Sequence, residues 1–231
     1  MLYLIMILPA FALAMLAQWM VQNAFQSMSR VQASMTGAEA ARRILDAQGL
    51  RNIPIEMVDG KLSDHYDPTH KVVRLSRDVY ASNSMAAVGI AAHEVGHAIQ
   101  DSKRYAPLVL RNLAVPAANI GGSIGSIFLM IGLSLLFSAM APLGKFIFLI
   151  GIICFGVTVV FQLINLPVEF DASSRAKTQL IELGIVSGPD LHYVSKVLNA
   201  AALTYVAATL QSVMLLAYYG IQFLAATRGD R

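Results

Sequence analysis

Charge is what this sequence has least of. Only 13% of its 231 residues are Asp, Glu, Lys or Arg, against about a quarter in an ordinary soluble domain. Hydrophobic residues make up 56% and the mean hydropathy is +0.60. The deficit points to a chain embedded in lipid. The net charge of +3 is too small for a nucleic-acid binder, and no nucleic-acid partner is expected. The single cysteine, Cys154, excludes an intrachain disulfide; inside its apolar run it reads as a small buried hydrophobe. There is no internal repeat and no low-complexity tract. The N-terminus lacks the basic start of a cleavable signal. Its apolar run begins at Leu2 and passes Ala14 to about Val21, longer than the roughly 7–15 residues of a signal core, so it reads as a retained transmembrane helix.

Crossing the hydrocarbon takes about 20 apolar residues. Four stretches reach that length: Leu2 to Val21, about Val115 to Met140, Phe146 to Leu166, and about Ala200 to Ala225. Pro142-Leu143-Gly144 leaves almost no loop between the second and third, which predicts a tight helical hairpin with residues 141–145 as its turn. Gly121, Gly122 and Gly125 would let those helices approach closely. The expected organisation is a first span over 1–22, a polar segment over 23–113, the hairpin over 114–166, a second polar segment over 167–199, and a last span with its tail over 200–231. The two polar segments then share one side of the membrane. Eleven Lys and Arg fall in the first and three in the second; the other side keeps Lys145, Arg228 and Arg231. The positive-inside rule makes the richer side cytoplasmic.

The first polar segment carries globular signals. Thr36-Gly37-Ala38-Glu39 is a capping-box pattern ahead of a helix over Ala40 to Gln48 that Gly49 would stop. Pro54 to Val58 reads as a short strand leaving through an Asp59-Gly60 hairpin turn, Asp64 to His70 as a loop, and Lys71 to Ser76 as another strand. Ser82, Asn83 and Ser84 can each cap a helix running to about Gln100. In the second segment Pro167 predicts a helix start, with a run to Leu183 and a stop at Gly184. Ser187-Gly188-Pro189-Asp190 then opens a helix that leads into the last span.

The chemistry lies in His93-Glu94-Val95-Gly96-His97. Residues i and i+4 share a helix face, so His93 and His97 can reach one ion, and imidazole nitrogen is a zinc ligand. A zinc ion lowers the pKa of a water it holds to about 7, and a carboxylate one residue after the first ligand projects toward that water as general base. That residue is Glu94. Gly96 lets another backbone approach, although it weakens the helix by about 1 kcal/mol relative to Ala. A catalytic zinc needs a third protein ligand. The chain has five glutamates, Glu39, Glu56, Glu94, Glu169 and Glu182. Glu169 is best placed, just past the third span on the same side as His93; Asp171 is the alternative.

The stretches Leu62 to Pro68, Val73 to Ser76, Ala91 to Gln100, Leu166 to Ser173 and Leu198 to Tyr205 resemble a bacterial family of neutral zinc metallopeptidases of the membrane, and the resemblance covers nearly the whole chain. It implies a zinc site with His93, His97 and Glu169 as ligands and Glu94 as general base. It also implies that Val72 to Ser76 is an edge strand above the active-site helix, open to an extended substrate. The site is similar to that of HtpX-type and CAAX prenyl proteases. Those families place an Asp four residues after the ligand Glu, where it orients a ligand histidine. Here Ser173 stands at that spacing and the acid is Asp171, two residues on, which points to a different helix face. Ser173 or a backbone carbonyl would then hold the imidazole.

The expected fold is a mainly α integral membrane protein, with about four transmembrane helices and a small cytosolic zincin-like α+β portion of short strands over the HExxH helix. The expected function is a Zn2+-dependent metalloendopeptidase of the bacterial plasma membrane. It would cut membrane or membrane-proximal polypeptides at the cytoplasmic face, in a quality-control role that only the HtpX resemblance implies. Its partners would be a polypeptide substrate and the bilayer; the sequence says nothing of oligomeric state. Tyr205 is a candidate donor to the tetrahedral oxyanion, with an interfacial aromatic as the plainer reading. His65, His70 and His192 read as turn or surface residues, and Arg175 as a neighbour of lipid head groups. Two other functions stand beside this one: an intramembrane protease of the site-2 type, with HExxH inside a spanning helix, and a non-catalytic scaffold holding metal for structure alone.

Overall fold

The computed structural model describes residues 2–228; Met1 and Arg231, the latter counted above with the second side of the membrane, lie outside the described residues. The chain is mainly helical, with seven helices and one three-stranded sheet among the described residues. Four helices are long and apolar enough to cross a membrane: α1 (Leu2–Met28), α5 (Ala106–Leu135), α6 (Ala141–Glu182) and α7 (Leu191–Arg228). The structure divides into two compact units, one formed by Leu16–Val109 with Pro167–Thr204 and the other by Leu110–Leu166 with the outer parts of α1 and α7.

In the membrane-type unit, α5 and α6 form the expected hairpin, and glycine sets its spacing. A Cβ on Gly121 would lie 2.7 Å from the Cys154 carbonyl oxygen, and one on Gly125 would lie 2.9 Å from the Phe155 amide. The turn falls earlier than the sequence reading placed it. Residues 136–140 make it, and Pro142 sits in the first turn of α6, where a missing N–H costs nothing.

The other unit holds α2 (Gly37–Ala47), β1 (Ile55–Val58), β2 (His65–Asp67), β3 (Val72–Ser76), the short α3 (Arg77–Tyr80) and α4 (Met85–Ser102). The capping box of α2 is present: Glu39 N donates to Thr36 Oγ1 at 3.2 Å and Thr36 N donates to Glu39 Oε2 at 2.7 Å. Gly49 ends the helix at φ +73°. Ser84 caps α4 by accepting from Ala87 N. Ile44, Leu45, Leu75, Val88, Val95, Leu180 and Val194 are fully enclosed in a core shared by α2, the sheet, α4, α6 and α7.

Four local expectations are corrected here. The strand order is β1-β3-β2, with β1 parallel and β2 antiparallel to β3. Val72–Ser76 is therefore the central strand, not an edge. The polar stretch read as a loop supplies its second neighbour, β2. Asp59-Gly60 does turn the chain, with Gly60 at φ +105°, but it closes no hairpin, because the strand that follows pairs with β3 instead of β1. Finally, Pro167 starts no helix: it lies inside α6, which runs unbroken from Ala141 to Glu182. An interior proline forfeits a hydrogen bond. Against that, Val168, Ala172, Ala176 and Leu180 are all 0% exposed at every fourth position, so burial of a continuous stripe outweighs local preference.

Candidate metal centre

The site forms where α4 and α6 touch. Gly96 makes the contact possible: a Cβ there would stand 2.5 Å from the Ala172 carbonyl oxygen. This close crossing brings Glu169 opposite the two histidines. Its Oε2 lies 3.3 Å from His93 Nε2 and 3.6 Å from His97 Nε2, with side chains 4%, 14% and 12% exposed respectively. The two rings stand nearly perpendicular, at 84°. Their donor atoms and the carboxylate oxygen all lie within 4.8 Å of one another.

These residues fit a zinc ion. Glu169 Oε2 is buried and makes no hydrogen bond; a buried carboxylate oxygen left so is costly unless a cation faces it. Zinc bonds of about 2.0–2.1 Å in a tetrahedron separate neighbouring ligands by about 3.4 Å, close to the two distances from Glu169 Oε2 to the imidazole nitrogens. The field has the right sign too. Burial works against a charged His97 ring, yet the facing Glu169 and Glu94 carboxylates outweigh it, so its pKa lies above the ordinary value. A pocket that raises the pKa of an imidazole also favours a cation.

Each ring is held from behind at Nδ1. His93 Nδ1 lies 3.1 Å from Ser173 Oγ, and His97 Nδ1 lies 3.0 Å from Gln100 Oε1. Of the two partners the sequence left open for the imidazole, Ser173 or a backbone carbonyl, Ser173 is the one beside His93. Asp171 does not touch a ligand ring; its Oδ2 accepts from Gln100 Nε2 at 2.8 Å and from Arg175 Nε at 2.5 Å. Arg175, read from sequence as a lipid neighbour, pairs with Asp171 and lies over the Tyr105 ring at 5.6 Å.

Glu94 is buried beside His93, and its Oε2 accepts from the Tyr66 amide of β2 at 3.0 Å. The Tyr66 hydroxyl donates to Asp101 Oδ2 at 2.6 Å, and Lys71 pairs with the same oxygen. Burial first, then Asp101, pushes the Tyr66 phenol above its ordinary pKa. Tyr66 is thus fixed at both ends to α4, and β2 lies across the helix. Sequence reasoning missed Gln100, Tyr66 and Asp101. Gln100 follows a ligand at helical i+3 spacing, a signal that was there to use; Tyr66 sat in a stretch read as loop. The other histidines keep the local roles read for them. His65 and His192 bond local carbonyls, and His70 pairs with Asp67.

A small α+β unit in which two histidines of an HExxH helix meet a glutamate from a crossing helix, in a chain with four helices long and apolar enough to cross a membrane, defines a membrane zinc metallopeptidase. The comparisons with known proteins agree. Residues 3–224 match the family described as "Putative neutral zinc metallopeptidase", and the chain belongs to that family. It is 45% identical over 226 residues, 97% of each chain, to a Bacillus subtilis (strain 168) protein named "Putative membrane protease YugP". No solved structure matches. The HExxH helix α4 is not among the four helices apolar and long enough to span.

Proposed function

We propose that the chain is an endopeptidase whose metal is held by His93, His97 and Glu169, with Glu94 as general base, and that it cuts membrane or membrane-proximal polypeptides at the cytoplasmic face of the bacterial plasma membrane. The observation that carries this reading is the convergence of three ligand atoms within 4.8 Å beside the Glu94 carboxylate. A zinc ion held there supplies Lewis acidity to a water and to the scissile carbonyl. Glu94 takes the proton of the attacking water and returns it to the departing amine. The Tyr66 amide orients Glu94 through Oε2, leaving Oε1 for the proton. Ser173 and Gln100 keep the imidazoles aimed. Because β3 is flanked on both sides and β2 is the edge strand bonded to Glu94, β2 is the strand along whose outer edge an extended substrate would add. Tyr205 is proposed only as a donor to the oxyanion.

The cytoplasmic face is supported by the Lys and Arg bias of residues 23–113 and 167–199. Preference for membrane-tethered substrates follows from the tethering of the catalytic unit. A quality-control role rests on the HtpX resemblance alone.

The test is Glu94→Gln in the full-length chain. The variant should keep its zinc and lose peptide hydrolysis by about 10²–10⁴-fold, the usual worth of a general base. Full activity in this variant removes Glu94 from the reaction, and a wild type that binds zinc but cuts nothing favours the non-catalytic scaffold.

A further inference from the structure

The Gln100 side chain is fully enclosed, at 0% exposure, yet it carries an amide with four hydrogen-bonding positions. Its partners decide its orientation. One end faces two oxygens, the Val168 carbonyl at 2.8 Å and Asp171 Oδ2 at 2.8 Å. A backbone carbonyl can only accept, so that end must be the NH2 group, and its two hydrogens serve both oxygens. The other end is then the carbonyl oxygen, which can only accept, and it lies 3.0 Å from His97 Nδ1. His97 must therefore carry a proton on Nδ1, so that in the neutral ring the lone pair sits on Nε2, the nitrogen 3.6 Å from Glu169 Oε2.

We infer that Gln100 is a positioning residue that fixes the metal-binding tautomer and ring angle of His97, and that Asp171, itself steered by Arg175, fixes Gln100. Gln100 thereby joins the ligand helix α4 to the third-ligand helix α6 behind the ion site. Asp171 reaches the histidine through an intermediary because it points two residues away from the face that carries Glu169 and Ser173. A neutral amide suits this place. It satisfies an acceptor carbonyl and a carboxylate with its NH2 group while presenting an acceptor to His97, and a carboxylate at position 100 would face both oxygens with no hydrogen to give. The inference rests on His97 being a metal ligand.

The experiment measures zinc affinity of the detergent-purified full chain by competition with a chromophoric chelator, alongside thermal unfolding. Wild type, His97→Ala, Gln100→Leu, Asp171→Ala and Asp171→Asn are compared. Loss of such outer partners typically costs about 10–100-fold in metal affinity, and that loss is expected for Gln100→Leu and Asp171→Ala. Asp171→Asn keeps an oxygen for Gln100 Nε2 and should retain most of the wild-type affinity. Wild-type affinity in Gln100→Leu or Asp171→Ala, with or without a fall in melting temperature, overturns the inference. If Gln100→Leu fails to fold, the two Asp171 variants, at a partly exposed position, decide it. If His97→Ala binds zinc as tightly as wild type, the ligand reading itself falls and the inference with it.

Discussion

Gly96 and Ala172 touch backbone to backbone: the missing Cβ of Gly96 would stand 2.5 Å from the Ala172 carbonyl oxygen. Glu169 lies one helical turn before Ala172 on α6, so the approach at Gly96 sets how near the carboxylate comes to the histidines. Gly96→Ala would gain helix propensity of about 1 kcal/mol but force α6 outward, an overpacking cost of about 1–3 kcal/mol. The expected outcome is a lower melting temperature together with weaker zinc binding. A stable variant with wild-type zinc affinity would show that the two helices can separate without disturbing the site.

Removing the metal should destabilise the unit that holds it. A ligand that binds only the folded chain stabilises it by about 2.7 kcal/mol when present at 100 times its dissociation constant. Scanning calorimetry or tryptophan-independent thermal unfolding, with and without chelator, should show a drop in wild type. Glu169→Gln, which loses the orphaned carboxylate charge, should show a much smaller one.

The β2 segment should loosen in acid. Asp67 accepts from His70 Nδ1 and Arg74 Nη1, both at 2.7 Å, and from the Thr69 and His70 amides. The His70 side chain first and Arg74 next hold its carboxyl well below the usual range. A depressed folded pKa means that the stabilisation is present above the unfolded value of about 3.9 and lost as pH falls through the lower folded value. Amide exchange over residues 62–71 should rise as pH drops below about 4, beyond the intrinsic pH effect, and Asp67→Asn should remove the excess.

Membrane orientation is testable with single cysteines in a Cys154→Ala background. Ser138 lies in the exposed turn before α6, whereas Lys61 and Ser187 are exposed in the two polar segments. An impermeant maleimide should label Ser138→Cys in intact cells, and Lys61→Cys and Ser187→Cys only after permeabilisation. The reverse pattern would move the catalytic unit to the outer face.

The parts of the fold legible in sequence were those written in local chemistry. Hydropathy located the four long helices, Thr36 and Glu39 announced a capping box, and HExxH announced two histidines one helical turn apart on one helix face. What was not legible depended on tertiary contacts. Pro167 carries the signature of a helix start, and only the buried stripe from Val168 to Leu180 carries the helix past it. His65–Asp67 is three residues beside a proline, too short to show a period, and becomes a strand because β3 and Glu94 offer it partners. The spacing of Asp171 correctly placed it away from the rings, but the bridge to His97 passes through Gln100 and needs the geometry of two helices at once.

The central claim is that one ion is gripped by two imidazoles from α4 and a carboxylate from α6. The most direct measurement is the zinc content of the purified full chain, followed in His93→Ala, His97→Ala and Glu169→Ala. The account predicts about one zinc per wild-type chain, as a single three-ligand catalytic site requires, and its loss from each of the three variants. Full zinc content in all three would place the metal elsewhere and contradict the account.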